Sequence, residues 1–405
     1  MKILHTVESY LPSRHGMQEV VTQLSENLVL MGHDVTVATS YNEKRESTII
    51  NGVKIAEFKI KGNFVSGITG DTSLYQEFLK SGDFDIITNF AAQQWATDLM
   101  LPILNDIKAK KVFVPTGFSA LNAPDYKDYF EKMKSWMKEY DTNIFLAEDY
   151  RDINFAKANN IYKKQVIPNG ANEKEFTDTP FIDIRKLINV PAKTDLILTV
   201  GNHTGYKGHS DAIKIFNRAG VDNAVMLVIG GAVTNRTPII NFAKEVVNLM
   251  GLKRTNCSIN CKLKALKFNA LNHNKSIVVK EFDRATTINA FMQADLFLFP
   301  SLIECSPIVL FEALAGSTPF LVSDVGNAKE IIKWTNGGKL LPTTFDKNGF
   351  SRAKIKESAQ MMEALLDNRS EMKRLGKEGN EAILEKFTWT KIAKQYEDLY
   401  LQLFS

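Results

Sequence analysis

"PSLIECSPIVLFEALAGSTPF", Pro300 to Phe320, is the stretch from which the fold is read. It follows the apolar run "ADLFLF" and leads into a second one, "PFLVSDV". The order is therefore strand, loop, helix, strand. Ser306-Pro307 reads as a helix start, because serine caps open backbone N–H groups and proline suits the first helical position. Gly316 reads as the stop, which predicts a helix from about Pro307 to Ala315. The start of such a helix offers unpaired N–H groups and a partial positive charge, a seat for an anion. Glu304 lies in the loop before that seat, and Glu312 lies about 7–8 Å along the helix axis beyond it. Two carboxylates flanking an anion seat can accept hydroxyl groups on either side of it. The plainer alternative leaves Glu304 solvated and Glu312 in a structural ion pair, and spacing alone does not choose between them.

Outward from this stretch, strand-like runs alternate with amphipathic helices, the pattern of a parallel sheet with crossover helices. "KILHTV" opens the chain, a loop follows, and "EVVTQLSENLVLMG" carries Val20, Val21, Leu24, Leu28 and Met31 at helical spacing. Further strands are read at "DVTVATS", "DFDIITNF", "KVFVPTGF", "TNIFLAEDY" and "KKQVIPNG". The texture then changes. "DTPFIDIRKLINVPAKT", residues 178–194, has two prolines and no long apolar period, and reads as a linker. After it the strand pattern restarts with "DLILTVGN". The expected division is residues 1–177, the linker 178–194, residues 195–385, and a last helix in 386–405.

The composition narrows the class. The chain has 405 residues, 44% hydrophobic and 24% charged, enough for two sizeable cores. A net charge of +4 is weak support for a polyanion, and no nucleic-acid partner is expected. Three cysteines, Cys257, Cys261 and Cys305, make no disulfide scaffold and fit a reducing cytoplasm. No run approaches the roughly 20 apolar residues of a membrane span, and the N-terminus is too broken for a signal peptide. Gly251 to Asn274 reads as a surface insertion. Its C-x3-C pair with the distant His273 is part of a zinc set without an apparent fourth ligand, so no metal site is assigned.

Two more loops carry phosphate chemistry. "VGNHTGYKGHSDAI", Val200 to Ile213, is a strand end, a flexible loop, and Lys207-Gly208 opening a helix. A lysine there can neutralise a diphosphate leaving group, although the order of residues is not that of a Walker loop. In "PSRHGMQE", Gly16 is followed at once by a helix, so backbone can approach an anion there too.

Together these residues resemble the retaining glycosyltransferases of family four, whose E-x7-E motif is matched by Glu304 and Glu312. "PSRHGMQEVVTQLSENLVLMGHDVTVAT" resembles the family's glycine loop, first helix and second strand, "VIPNGANEKEF" its segment before the linker, and "VGNHTGYKGH" its donor-phosphate loop. "KFTWTKIAKQYEDLY" resembles its terminal helix, so the resemblance runs nearly end to end. The resemblance implies an α/β chain of two facing Rossmann-like domains, the GT-B fold, with a cleft between them. It implies acceptor binding by the first domain, nucleotide-sugar binding by the second, and a last helix crossing back to the first. It implies that Glu312 binds ribose hydroxyls, that Glu304 contacts the donor sugar, and that Lys207 holds the diphosphate. The N–H groups near Ile308 and Val309, together with Gly16, would help. The nucleoside diphosphate sugar, with UDP or GDP, is a substrate, so no cofactor and no metal are expected. The acceptor would be a glycan or a lipid-linked sugar.

The sequence departs from the family at three places. Asn202 stands where an arginine is usual after the glycine of the phosphate loop, which removes one cation from that site. His203 and Arg14 are the residues nearby that could supply it. Thr116 stands where the loop after the fourth strand often carries a histidine, and His15 stands where the first loop usually has a glycine. Both are placed on the acceptor or sugar side. The Asn202 and Thr116 departures motivate a rival reading, a nucleotide-sugar-binding partner of another transferase without turnover of its own. A dinucleotide-dependent oxidoreductase would need Gly-x-Gly-x-x-Gly after a strand, and neither "VIGGAVTN" nor "VGNHTGYKG" supplies it.

One helix bears on the acceptor. "LNAPDYKDYFEKMKSWMKEY" sets Tyr126, Tyr129, Phe130, Met133, Trp136, Met137 and Tyr140 on one face, with Lys127, Lys132, Lys134 and Lys138 around the rest. That face reads either as packing on the first domain or as an acceptor wall, which keeps a peripheral contact with an inner membrane face open.

Overall fold

The computed structural model describes residues 1–13, 16–231 and 257–405. By internal contacts the chain divides into two units: Met1–Gly170 with Lys386–Ser405, and Ala171–Glu385.

The first unit is built on an eight-stranded sheet. In spatial order its strands are Lys164–Val166, Thr142–Phe145, Lys110–Val114, Ile86–Phe90, Lys2–Thr6, Asp34–Ser40, Val53–Phe58 and Ile49–Ile50. All neighbours are parallel except the edge pair Ile49–Ile50 with Val53–Phe58. Every residue of Ile86–Phe90 is buried, as expected of a parallel strand covered on both faces. Around Ile3, which pairs with Val35 on one side and Ile86 on the other, the chain reverses its direction of growth across the sheet.

The aromatic helix belongs to this unit's core. A short 3-10 turn, Pro124–Tyr126, precedes the helix Lys127–Glu139, whose Tyr129, Phe130, Met133 and Met137 are buried. They pack with Phe113, Phe118 and Trp95 in one cluster, with Trp136 against its edge. That apolar face is thus consumed by packing.

The terminal helix, Trp389–Gln402, also lies in this unit and packs on the helix Gly16–Leu30. Its Thr388 cap accepts from the N–H of Lys391, and the Tyr400 hydroxyl lies 2.7 Å from the Thr88 hydroxyl inside the core. His5 sits beside them, fully buried, with Nδ1 2.8 Å from the Ser25 hydroxyl. Burial pushes its pKa down to about 3, so the ring is neutral.

The second unit holds a six-stranded, all-parallel sheet in the spatial order Lys275–Lys280, Ala224–Ile229, Asp195–Val200, Leu296–Phe299, Phe320–Val322, Gly338–Leu340. Numbered along the chain this is 3-2-1-4-5-6, the dinucleotide-fold order. Residues 178–194, expected as a linker, fall inside this unit. They form the turn of helix Ile184–Leu187 and are tied to the helix Arg284–Gln293 and the residues just after it. Ile182 N–H donates to Asn289 Oδ1 at 2.9 Å, and Arg185 pairs with Asp295 at 2.7 Å. Their two prolines limit local regularity, but these side-chain bonds hold the segment in place.

The stretch expected as a surface insertion is in its described part a helix, Cys257–Leu271. Cys261, Ala265 and Phe268 are buried in the second unit's core. Among the described residues no helix is long and apolar enough to cross a membrane.

Candidate functional site

In a 3-2-1-4-5-6 sheet the chain departs in opposite directions from its first and fourth strands, and a crevice opens outside their carboxyl ends. In the second unit those strands are Asp195–Val200 and Leu296–Phe299. Their C-termini feed the two loops singled out in the sequence, 201–208 and 300–307. Each loop opens a helix, His209–Arg218 and Ile308–Ala315.

The two loops are laced together. Gly208 has φ of 72°, and a Cβ on it would stand 1.8 Å from the Pro300 carbonyl oxygen, so only glycine permits this approach. Leu302 N–H donates to the Tyr206 carbonyl at 2.8 Å, and the Ser301 hydroxyl oxygen lies 3.0 Å from the same carbonyl oxygen. A third loop braces them from behind. Gly326 has φ of 53°, and a Cβ there would lie 2.2 Å from the Cys305 carbonyl oxygen. Asn327 donates from its backbone to that same oxygen at 2.9 Å and from its side chain to Ser306 Oγ at 3.2 Å.

This lacing brings Lys207 and Glu304 together. The ammonium lies 2.7 and 2.9 Å from the two carboxylate oxygens, and the Ser301 hydroxyl donates to Glu304 Oε1 at 2.7 Å. Lys207 also lies over the Phe299 ring, 5.9 Å from its centroid. The pair is only partly withdrawn from water, with 30% of the lysine side chain and 10% of the glutamate exposed. A carboxylate has about four lone-pair directions. The lysine and the serine hold the Glu304 carboxylate at the mouth of the two loops.

Glu312 is placed differently. It is 5% exposed and pairs at 2.5 Å with Arg284, which reaches Glu175 with its other nitrogens at 2.5 and 3.1 Å. The structural ion pair weighed for Glu312 is therefore present. Sequence reasoning missed both partners, but one signal was available. Arg284 is the first residue of its helix, behind the Asp283 cap, where a cation opposes the helix dipole and requires nearby anions.

The helix start is shifted from its expected place. Pro307, with φ −72° and ψ 108°, occupies the cap position in place of Ser306, and the helix begins at Ile308. Ser306 is used instead by Asn327. The first-turn amides of Ile308 and Val309 belong to the part of a helix that has no intrahelical acceptor. Asn202 follows Gly201 at the start of the other loop, with its side chain next to Gly231.

The remaining candidates lie in the first unit. Gly16 is exposed and opens the helix Gly16–Leu30. Thr116 follows the strand Lys110–Val114 and has φ of 59°, a costly region for a β-branched residue. The strained turn is held by Asp152, which accepts from Gly117 N–H at 2.8 Å and whose carboxyl is pushed up to about 6 by burial. His15 and Arg14 lie outside the described residues.

Residues 181–382 match the model of the family described as glycosyl transferases group 1. Over its length the chain is similar to an uncharacterized glycosyltransferase of Methanocaldococcus jannaschii, 24% identical over 430 residues, spanning 99% of this chain and 98% of the relative. Among solved structures it is similar to a sucrose-phosphate synthase from Thermosynechococcus elongatus, with a TM-score of 0.72 and 18% identity over 100% of this chain and 99% of that one. It is also similar to the Anabaena protein HepE in complex with UDP and glucose, with a TM-score of 0.73 and 12% identity over 99% of this chain and 100% of that one. A family match across most of the second unit, and solved structures that share the fold of the full chain, make this protein a group 1 glycosyltransferase with the GT-B fold.

Proposed function

We propose that the protein is a retaining transferase that moves a sugar from a nucleoside diphosphate sugar to a hydroxyl of a glycan or lipid-linked acceptor. The observation that carries this reading is the Lys207–Glu304 pair at the switch point of the second sheet, between two loops that each open a helix. A diphosphate at such a point meets a cation and helix-start amides, and a sugar beside it meets a carboxylate.

In this reading Lys207 neutralises the charge that grows on the leaving diphosphate. The amides near Ile308 and Val309 share that charge, and Asn202 adds a neutral hydrogen bond where the family resemblance implies a cation. Glu304 accepts hydroxyls of the donor sugar, and Glu312 accepts the ribose hydroxyls while Arg284 and Glu175 hold it in place. Gly16, His15 and Thr116 serve the sugar or acceptor side.

The bond from the anomeric carbon to the phosphate oxygen breaks, and the acceptor oxygen bonds to the same face of that carbon. The acceptor's proton passes to the leaving phosphate oxygen. The step draws on no divalent ion, so adding Mg²⁺ or Mn²⁺ to a metal-poor assay should leave the rate unchanged.

UDP-sugars are the first donors to try, since the HepE structure holds UDP and glucose. The test is nucleoside diphosphate release from a panel of UDP- and GDP-sugars, with and without a lipid and glycan extract, with Glu304→Ala as control. Release from one donor, raised by the extract and lost in the control, supports the reading. Nucleotide binding without release from any donor in the presence of the extract would favour a non-catalytic partner protein.

A further inference from the structure

The phosphate loop holds a second constellation that the transfer chemistry does not use. His203 lies within the loop, His209 is the first residue of the helix after it, and Cys257 and Cys261 lie on the helix Cys257–Leu271. One ligand atom from each of the four lies within 4.8 Å of the others. Both imidazoles and Cys261 are buried, at 5%, 2% and 1% exposure. We propose that these four residues form a structural zinc site that ties the Lys207 loop to the helix Cys257–Leu271.

The geometry favours a metal over a simple cluster of neutral groups. The sulfurs are 3.9 Å apart, and the facing Nδ1 atoms of the two rings are 3.1 Å apart. The edge of a tetrahedron around zinc is about 3.8 Å between thiolates and about 3.3 Å between imidazole nitrogens at ordinary bond lengths. The sulfurs are too far apart for a disulfide, whose bond is about 2 Å.

The spacing agrees. H-x5-H and C-x3-C both fall in the range used by structural zinc sites, and cysteines four apart on a helix share one face. His273, the histidine that the sequence suggested beside the cysteines, is exposed and outside the cluster. Zinc binding would release the two thiol protons and leave Zn²⁺ with two thiolates and two neutral imidazoles. The site is then neutral overall, which suits its burial. His203 and His209 bracket Lys207, so the metal would fix both ends of the segment that carries the lysine.

The metal content can be measured without reference to any reaction. Untagged protein, purified without chelators and kept reduced, is analysed by inductively coupled plasma mass spectrometry. One zinc per chain is expected, falling at least tenfold in Cys257→Ser and in Cys261→Ser but unchanged in His273→Ala. Metal-stripped, reduced protein reloaded with Co²⁺ should show the intense visible bands of a tetrahedral site and a thiolate charge-transfer band, both absent in Cys261→Ser. Reduced protein that takes up neither zinc nor cobalt, or that binds them equally well in the cysteine variants, overturns the proposal. Circular dichroism of the variants shows whether a loss reflects the missing ligand or a failure to fold.

Discussion

The chain builds the same switch point twice and furnishes it in two ways. In the second unit the loops after the first and fourth strands are joined by charge, Lys207 to Glu304, with Glu312, Arg284 and Glu175 nearby in the same unit. In the first unit the corresponding strands are Lys2–Thr6 and Ile86–Phe90. Their ends and loops are joined by neutral groups among the described residues. Glu8 N–H donates to Gln94 Oε1 at 3.0 Å, Asn89 Nδ2 donates to the Thr6 hydroxyl at 2.6 Å, and the Tyr140 hydroxyl donates to Asn89 Oδ1 at 2.7 Å. Topology sets where a ligand can sit, and the side chains set which ligand it is. Charged furnishing suits a diphosphate, whereas amides and hydroxyls suit a neutral polyol.

The contrast is broken most directly at Lys207. Lys207→Ala should lower turnover about 10²–10³-fold, the usual effect of removing one group that stabilises transition-state charge. The melting temperature should stay close to that of the wild type, because the ion pair is partly exposed. Steady-state kinetics and calorimetry check both halves.

Glu312→Ala should cost about 10- to 100-fold in kcat/KM for the donor, the worth of charge-assisted hydrogen bonds to ribose. It should also lower the melting temperature, since Glu312 is buried and Arg284 loses one of its two carboxylates. A fall in stability with no change in donor kinetics would leave the residue a purely structural role.

The neutral histidine in the interior of the first unit can be tested by pH. His5 is held near a pKa of 3, against an ordinary value near 6.5, by burial alone. The unfolded chain therefore takes up a proton that the folded chain refuses. Its contribution is constant above about pH 6.5 and is lost as the pH falls toward 3. The stability of wild type relative to His5→Asn should drop by about 1.4 kcal/mol per pH unit in that window. Asp98 and Asp152, both pushed up to about 6 by burial, act in the opposite direction and cancel in the comparison. Urea titrations of both proteins at several pH values would show the divergence.

The smallest effect is expected at Thr116. Thr116→Gly removes the left-handed strain and should leave stability unchanged or raise it by about 1 kcal/mol, while transfer slows through loss of the hydroxyl. A variant that is both less stable and equally active would contradict a strained sugar-side threonine.

Much of the second unit's site was legible because its signals are local. A strand end, a glycine, Lys207-Gly208 and a helix start fall within one short stretch, as do Glu304, Pro307 and Glu312. The shift of the cap from Ser306 to Pro307 was not legible, because it depends on Asn327 from another loop. Arg284 and Glu175 were hidden for the same reason, since each meets its partner only after the chain folds. The histidine pair and the cysteine pair are each half of a ligand set, separated by a long stretch of chain, and a search for the nearest histidine finds His273 instead. Left-handed Thr116 was not legible, because the adjoining Gly117, also at positive φ, is the residue type that adopts this region without steric cost.

The most direct test of the contrast between the two switch points is calorimetric titration of UDP and GDP into wild type, Lys207→Ala and Gln94→Ala at one ionic strength. One of the two nucleotides should bind the wild type, at least tenfold more weakly to Lys207→Ala and with unchanged affinity to Gln94→Ala. Equal binding to the wild type and Lys207→Ala, or loss of binding in Gln94→Ala alone, would contradict a donor seat built at the charged switch point.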